Sequence, residues 1–188
     1  VVRLAPIKDV KTMVYAFFEL HERLPQVRLH IMGGVDDEEY GAECHALVET
    51  LGVRDLIFTG RVNVIEYMEK LDFTILTSIS EGQPLSVLES LGARRPCVTT
   101  EVGCCRELLE GAPGDDFGVA GFVTPPMYRK GLADAMERMC ASRARRIEMG
   151  ERGQRRVATY FLHEQMLANY RALYDETARA FDLPREGV

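Results

Sequence analysis

Ser78-Ile79-Ser80-Glu81-Gly82-Gln83-Pro84-Leu85-Ser86-Val87-Leu88-Glu89-Ser90 is the stretch around which the chain is organised. Before it runs Leu71 to Thr77, an apolar segment that reads as a strand buried on both faces. Behind it comes an apolar-periodic segment that reads as a helix. A strand therefore turns into a helix here. Glu81 precedes the turn, Gly82 lets the backbone come close to a neighbour, and Pro84 is expected at the first helical position, where its missing N–H is not needed. The free N–H groups of that first turn would face an anion. Glu89, five residues beyond Pro84, stands ~7 to 8 Å further along the helix at ~1.5 Å per residue.

Working outward, the same alternation recurs. Val1 to Leu4 reads as the end of a strand, closed by the turn signal Ala5-Pro6. Asp9 can cap a helix over Val10 to Leu24, with Val10, Met13, Val14, Phe17 and Leu24 at helical spacing and Pro25 stopping it. Val27 to Met32 alternates into the glycine turn Gly33-Gly34. An acidic opening at Asp36 to Glu39 starts a helix reaching about Gly52, followed by a strand Leu56 to Gly60 and a short helix Val64 to Lys70. Beyond the central stretch come a strand at Pro96 to Thr99, a short helix Cys105 to Leu109, a loop Gly111 to Gly118, a strand Val119 to Thr124 and a helix Met127 to Cys140. The remainder, with helices from about residue 151, carries Met166, Tyr170, Leu173, Tyr174, Thr177 and Phe181 on one stripe.

Short apolar strands alternating with helices predict an α/β fold: a doubly wound, Rossmann-like parallel sheet of about six strands in one domain spanning residues 1 to 188. In such sheets chemistry gathers at the carboxyl ends of the strands. That rule brings Arg3 to Lys8, Gly33-Gly34, Gly60-Arg61, Ser78 to Glu89 and Gly103 to Glu107 onto one rim.

Composition limits what the rim can serve. The chain has 23 basic and 29 acidic residues, a net charge of −6, so no basic excess is available for nucleic acid or an anionic membrane surface. No apolar run approaches a membrane span and no secretory signal is visible, which leads to the expectation of a cytoplasmic protein. The five cysteines have no paired metal spacing and read as reduced thiols, with a lowered pKa conceivable at Cys104-Cys105. Asp36-Asp37 and Asp115-Asp116 read as a helix cap and a solvated loop, and the four histidines are scattered, so no metal site is expected.

Arg3 and Lys8 flank a proline turn closely enough to converge on one multiply charged anion, a phosphate or diphosphate. Glu81 and Glu89 would repel such an anion unless aimed at hydroxyl groups. A sugar-diphosphate-nucleoside satisfies the whole set: sugar on Glu81, diphosphate on the helix N-terminus with Arg3 and Lys8, ribose on Glu89. On spacing alone, a carboxylate pair flanking a glycosidic bond also leaves glycoside hydrolysis open.

The ordered combination Arg3-x-x-Pro6-x-Lys8, Glu81-Gly82-x-Pro84 through Glu89, and Val102-Gly103 through Glu107 resembles the carboxy-terminal half of the family 4 retaining glycosyltransferases of two-Rossmann-domain (GT-B) fold. The likeness spans Arg3 to about Tyr174. It implies a retaining transfer from a nucleotide-sugar without a required metal or other cofactor, in which Arg3 and Lys8 stabilise the leaving diphosphate and Glu81 contacts the donor sugar. It further implies that the segment Gly82, Gln83, Pro84, Leu85 and Ser86 holds sugar and phosphate through its backbone N–H groups, that Glu89 binds ribose, that the base lies near the third strand end at Gly60-Arg61, and that Gly33 belongs to the donor-binding set. The wording of APIKDVKT, SISEGQPLSVLES and CCRELLEG is similar to enzymes of bacterial exopolysaccharide synthesis, which would make the donor UDP-glucose and the acceptor a saccharide. Where the family has two glycines after the fifth strand this chain has Gly103-Cys104. The resemblance also implies a separate amino-terminal domain carrying the acceptor site, and a carboxy-terminal helix whose bare apolar stripe favours self-association. Two other readings stand beside it: a sugar-nucleotide epimerase, and a non-catalytic nucleotide- or phosphate-binding interaction module.

Overall fold

The computed structural model describes residues 2–181; Val1, counted above in the first strand, lies outside them. After a single 3₁₀ turn, Pro6–Lys8, the elements are α1 (Val10–Arg23), β1 (Leu29–Met32), α2 (Glu38–Leu51), β2 (Leu56–Gly60), α3 (Val64–Met68) and β3 (Thr74–Leu76). There follow α4 (Leu85–Gly92), β4 (Cys97–Thr100), α5 (Cys105–Glu110), β5 (Gly121–Thr124), α6 (Arg129–Cys140), α7 (Arg143–Tyr160) and α8 (His163–Ala180). All strand pairs are parallel, as the alternation of strand and helix requires.

The expected six-stranded sheet is found as five strands in two sheets, β1-β2 and β3-β4-β5. The first strand survives only as a bridge between Leu4 and Val35, with Val2 N–H bonded to Met32 O at 2.7 Å and Leu4 N–H to Gly34 O at 2.9 Å. Because so little of it stands between β1 and β3, the sheet parts there. The same gap explains why β3 is shorter than Leu71 to Thr77 and why Phe73, Thr74 and Ile75 are only half-buried, whereas β4 is buried throughout.

Helices cover both faces. Alternation along β4 sends Val98 into a core with α1, α2 and α6, built on Val14, Phe17, Leu20, Cys44, Leu132 and Met136. Its neighbour Cys97 enters a second core with Val87 and Leu91 of α4 and Leu108 and Leu109 of α5, against which Val157 and Phe161 pack. Asp9 caps α1 as expected, accepting from Thr12 N–H at 3.3 Å, and does so in the left-handed region at φ 46°.

Two boundaries differ from expectation. Pro84 is the N-cap of α4, extended at φ −73° and ψ 109°, so the helix opens at Leu85. The last helical region begins at Arg143, not near 151, because Ser142 accepts from Arg145 N–H and starts α7; the arginine-rich first turn shows no apolar period by which to find it. Helix α7 lies directly on α4: a Cβ at Gly150 would strike the carbonyl of Arg94, and one at Gly153 would meet the Leu91 side chain at 2.5 Å. These two glycines let α7 hold α4 in place behind the rim.

Candidate functional site

The exits of the strands converge as the topology demands, and backbone contacts fix them to one another. The 3₁₀ turn is closed by Lys8 N–H to Ala5 O at 2.9 Å, and its other side is tied to the exit of β3. Ile79 N–H bonds Ile7 O at 2.9 Å, while the Thr77 hydroxyl donates to Lys8 O at 2.9 Å. Thr100, at the end of β4, donates to Ser78 O at 2.7 Å. Three strand exits thus form one buttressed platform.

Glu81 is the node of that platform. Lys8 Nζ lies 2.6 Å from Glu81 Oε1, and Ser78 Oγ donates to the same oxygen at 2.7 Å. Both contacts fall on Oε1, and Oε2 takes part in neither. With side chains 20% and 14% exposed, Lys8 and Glu81 form a partly dehydrated pair, in which attraction is stronger than on an open surface. The pairing fixes the carboxylate and offsets its charge at once. An anion can therefore approach the carboxylate without meeting an uncompensated negative charge.

Immediately beyond Glu81 the chain turns under Gly103, which sits at φ 51°. A Cβ on Gly103 would strike the carbonyls of both Gly82 and Glu81, and Cys104 N–H donates to Gly82 O at 3.0 Å. The close backbone approach is thus made by Gly103 alone, without the second glycine of the family pattern; Cys104 contributes only its backbone. The thiols are not activated. Burial pushes Cys104 up, and it pushes its neighbour Cys105 to about 11, so the lowering that the sequence left conceivable does not occur and these are ordinary packed thiols.

Pro84 is buried and supplies no side-chain cap, while its carbonyl accepts from Val87 N–H at 3.1 Å. Helix starts leave their first N–H groups without intrahelical partners, so those of Leu85 and Ser86 project from the rim beside Glu81. Gly82 and Gln83 are exposed between them. Glu89 is exposed one turn beyond Leu85, on the same side of α4.

Other expected residues are present with unexpected partners. Arg3 does not meet Lys8; its guanidinium pairs with Asp36 Oδ2 at 2.6 Å and is 70% exposed. Asp37 alone is the cap, accepting from Tyr40 N–H at 2.9 Å, so the two aspartates divide the roles that the sequence assigned jointly. Gly33 receives the Val2 carbonyl so closely that any Cβ would overlap it. The Arg61 side chain lies over Gly34, where an added Cβ would approach Arg61 Nε to 3.2 Å. Asp115, read as loop solvation, is instead buried against Arg156.

Ser78 and Asp36 were missed as site residues. Ser78 carries a signal, since it precedes Glu81 by three residues across a tight turn; Asp36 carries none, because its partner comes from a different strand exit. Also unforeseen are four exposed apolar side chains near the strand exits and the start of α4: Ile7, Val35, Ile79 and Leu85.

A family profile described as "Glycosyl transferases group 1" matches residues 1–142. Among curated proteins, the N-acetyl-alpha-D-glucosaminyl L-malate synthase of Bacillus anthracis is 26% identical over 175 residues, covering 92% of this chain and 43% of that protein. The sucrose-phosphate synthase of Thermosynechococcus elongatus superposes with a TM-score of 0.82 at 24% identity, over 96% of this chain and 45% of that one. The Anabaena protein HepE, solved in complex with UDP and glucose, gives a TM-score of 0.79 at 23% identity, over 90% and 46%. The chain therefore spans less than half the length of each of these relatives.

Proposed function

The chain belongs to the group 1 glycosyltransferases, and from that premise we propose that it is the donor-binding half of a family 4 retaining enzyme, taking a sugar from a nucleotide-sugar. The observation that carries this reading is the Glu81 carboxylate, fixed by Lys8 and Ser78 beside the uncapped start of α4. In it the diphosphate lies on the N–H groups of Leu85 and Ser86, with Lys8 shared between phosphate and Glu81. Arg3 exchanges Asp36 for the anion, and Glu81 Oε2 accepts a sugar hydroxyl. Glu89 takes the ribose, and the base rests near Gly33 and Arg61.

Chemically, the bond from the sugar's anomeric carbon to the diphosphate oxygen breaks and its electron pair stays on that oxygen. Two cations and a helix N-terminus offset the charge that develops there. That set requires no metal ion. The donor class follows the likeness to HepE, solved with UDP and glucose; UDP-glucose and a polysaccharide acceptor follow the similarity of the stretches APIKDVKT, SISEGQPLSVLES and CCRELLEG to enzymes of bacterial exopolysaccharide synthesis. The acceptor site is assigned to a preceding domain, which the exposed apolar side chains Ile7, Val35, Ile79 and Leu85 would face. Among the described residues no helix is long and apolar enough to cross a membrane, and all five thiols are free, as a reducing cytoplasm keeps them. Helix α8 buries none of its residues and leaves Tyr170, Leu173 and Tyr174 more than half exposed at 52, 55 and 69%, a surface suited to self-association.

Calorimetric titration with UDP, GDP and ADP tests the reading. UDP should bind, UDP-glucose more tightly, and Lys8→Ala should weaken both by about tenfold or more. Unchanged affinity after replacing both Arg3 and Lys8 by alanine would sink the diphosphate assignment.

A further inference from the structure

At the opposite end of the sheet from the rim, where β3 and β4 begin, lies a cleft of about 220 Å³. Five basic side chains line it, Lys70, Arg94, Arg95, Arg143 and Arg146, against two acidic ones, Glu69 and Asp72. The chain as a whole carries a net charge of −6, so this local excess of cations runs against its composition.

Two of the cations are fixed by backbone carbonyls and keep donors to spare. Arg95 donates through Nε to Met68 O and through Nη2 to Glu69 O, both at 3.0 Å, and its Nη1 group makes no hydrogen bond within the described residues. Arg146 donates through Nη1 to Met139 O at 2.9 Å and Cys140 O at 3.0 Å, and through Nη2 to Asp72 Oδ1 at 3.1 Å, which leaves Nε. The other three, Lys70, Arg94 and Arg143, are exposed and have no carboxylate partner among the described residues. Asp72 is already offset by Arg146, and Glu69 is exposed to water.

The placement of two of these arginines does not serve the fold. Arg143 and Arg146 stand in the first turn of α7, an 18-residue helix with no acidic residue there, where the helix dipole disfavours cations. Arg94 closes α4 in the left-handed region at φ 58°, with its N–H on Leu91 O at 2.9 Å and that of Arg95 on Ser90 O at 2.8 Å. Glycine is the usual residue at that position of a helix end, and any side chain is strained there. Helix α7 passes so close to Arg94 that a Cβ on Gly150 would strike the Arg94 carbonyl, which brings both conflicts to one place. An anion seated between them relieves the crowding of charge, and departures from local preference of this kind gather at functional sites.

We propose that this cleft binds the phosphate group of a phosphate ester, with the planar forks of Arg94 and Arg143 closing on it from the exposed side and Arg95 and Arg146 as the preset wall. At about 220 Å³ the cleft is smaller than the ~300 Å³ at which pockets for whole drug-sized ligands begin, so it takes a phosphorylated headgroup and not a second nucleotide-sugar. A soluble phosphate ester and a phospholipid headgroup share this chemistry.

Backbone amide shifts during titration with inorganic pyrophosphate read this cleft separately from the donor rim at the other end of α4. Saturable shifts are expected at Lys70, Arg94, Arg95 and Ala144, whatever occurs at Gly82 to Ser86. Arg94→Gly and Arg143→Gln should each weaken that binding by about tenfold, while Tm holds or rises because strain or charge conflict is relieved. Arg129→Gln, which removes a cation elsewhere, should leave the affinity unchanged. Cosedimentation with vesicles containing phosphatidic acid, lost in both cleft variants, would assign the phosphate to a lipid headgroup; its absence would assign it to a soluble ester. Missing or unsaturable shifts at these amides would overturn the proposal. So would an affinity unchanged by either cleft variant, or one weakened as much by Arg129→Gln.

Discussion

Two ion pairs in this chain are built from the same chemistry and do opposite things. Arg156 and Asp115 are 1% and 3% exposed; the guanidinium donates to both carboxylate oxygens, at 2.5 and 3.1 Å, and spends its other N–H groups on the carbonyls of Leu108, Leu109 and Gly118. Nothing is left over. Lys8 and Glu81 meet at 2.6 Å but remain 20% and 14% exposed, both contacts to Glu81 fall on one oxygen, and a helix start opens beside them. The closed pair anchors the loop after α5 to α7, whereas the open pair keeps Lys8 donors and Glu81 Oε2 outside its mutual contact and stays partly exposed. A buried charge pair with every group satisfied is architecture; one held rigid but incompletely satisfied at a strand-exit rim can bind something.

That contrast can be broken experimentally, and the largest effect should come from the closed pair. Arg156→Ala leaves the Asp115 carboxylate buried without its partner, which should cost about 3 to 5 kcal/mol of unfolding free energy in urea melts. If the loss stays below about 1 kcal/mol, water reaches Asp115 and the pair is not closed. Gly103→Ala comes next: a Cβ in the left-handed region, driven at the Gly82 and Glu81 carbonyls, should destabilise by about 2 kcal/mol. It should also weaken UDP binding beyond what stability explains, because the Glu81 loop must move. Glu81→Ala at the open pair should cost only about 1 kcal/mol, since Lys8 can reach water, yet on the proposed reading should abolish sugar transfer. A stability loss matching that of Arg156→Ala, with transfer intact, would erase the distinction.

The smallest effect is the acid response. Arg156 holds the Asp115 carboxyl below the ordinary carboxylate range, so the folded state binds its proton less readily than the unfolded chain. That contribution is complete above the unfolded value, near pH 4, and is lost as pH falls through the lower folded value. Between about pH 5 and about pH 3 the urea midpoint of the wild type should therefore fall further than that of Asp115→Asn. Parallel curves would mean that the pair titrates alike in both states.

Much of this was legible in the sequence. Strand and helix order followed from short apolar runs between glycine and proline turns, and the rim followed from topology, because strand exits meet whatever their side chains are. Asp9 and Asp37 were found as caps, since capping is local. Long-range partners were not found: Asp115 looked like a solvated loop residue, and its burial depends on Arg156, 41 positions later. Arg3 was expected to meet Lys8 because they are near in sequence, but the closing of β1 against the first strand puts Asp36 within its reach. Pro84 moved by one position because the N–H of an N-cap, like that of the first helical residue, has no intrahelical partner, so proline is tolerated at either.

The central claim is that the open pair and the start of α4 hold the diphosphate of a nucleotide-sugar. Backbone amide shifts on titration with UDP-glucose test it most directly. The largest changes should fall on Gly82 to Val87 and Lys8, and Lys8→Ala should remove them. Shifts confined to other surfaces, or unchanged at Leu85 and Ser86 in saturating ligand, would contradict it.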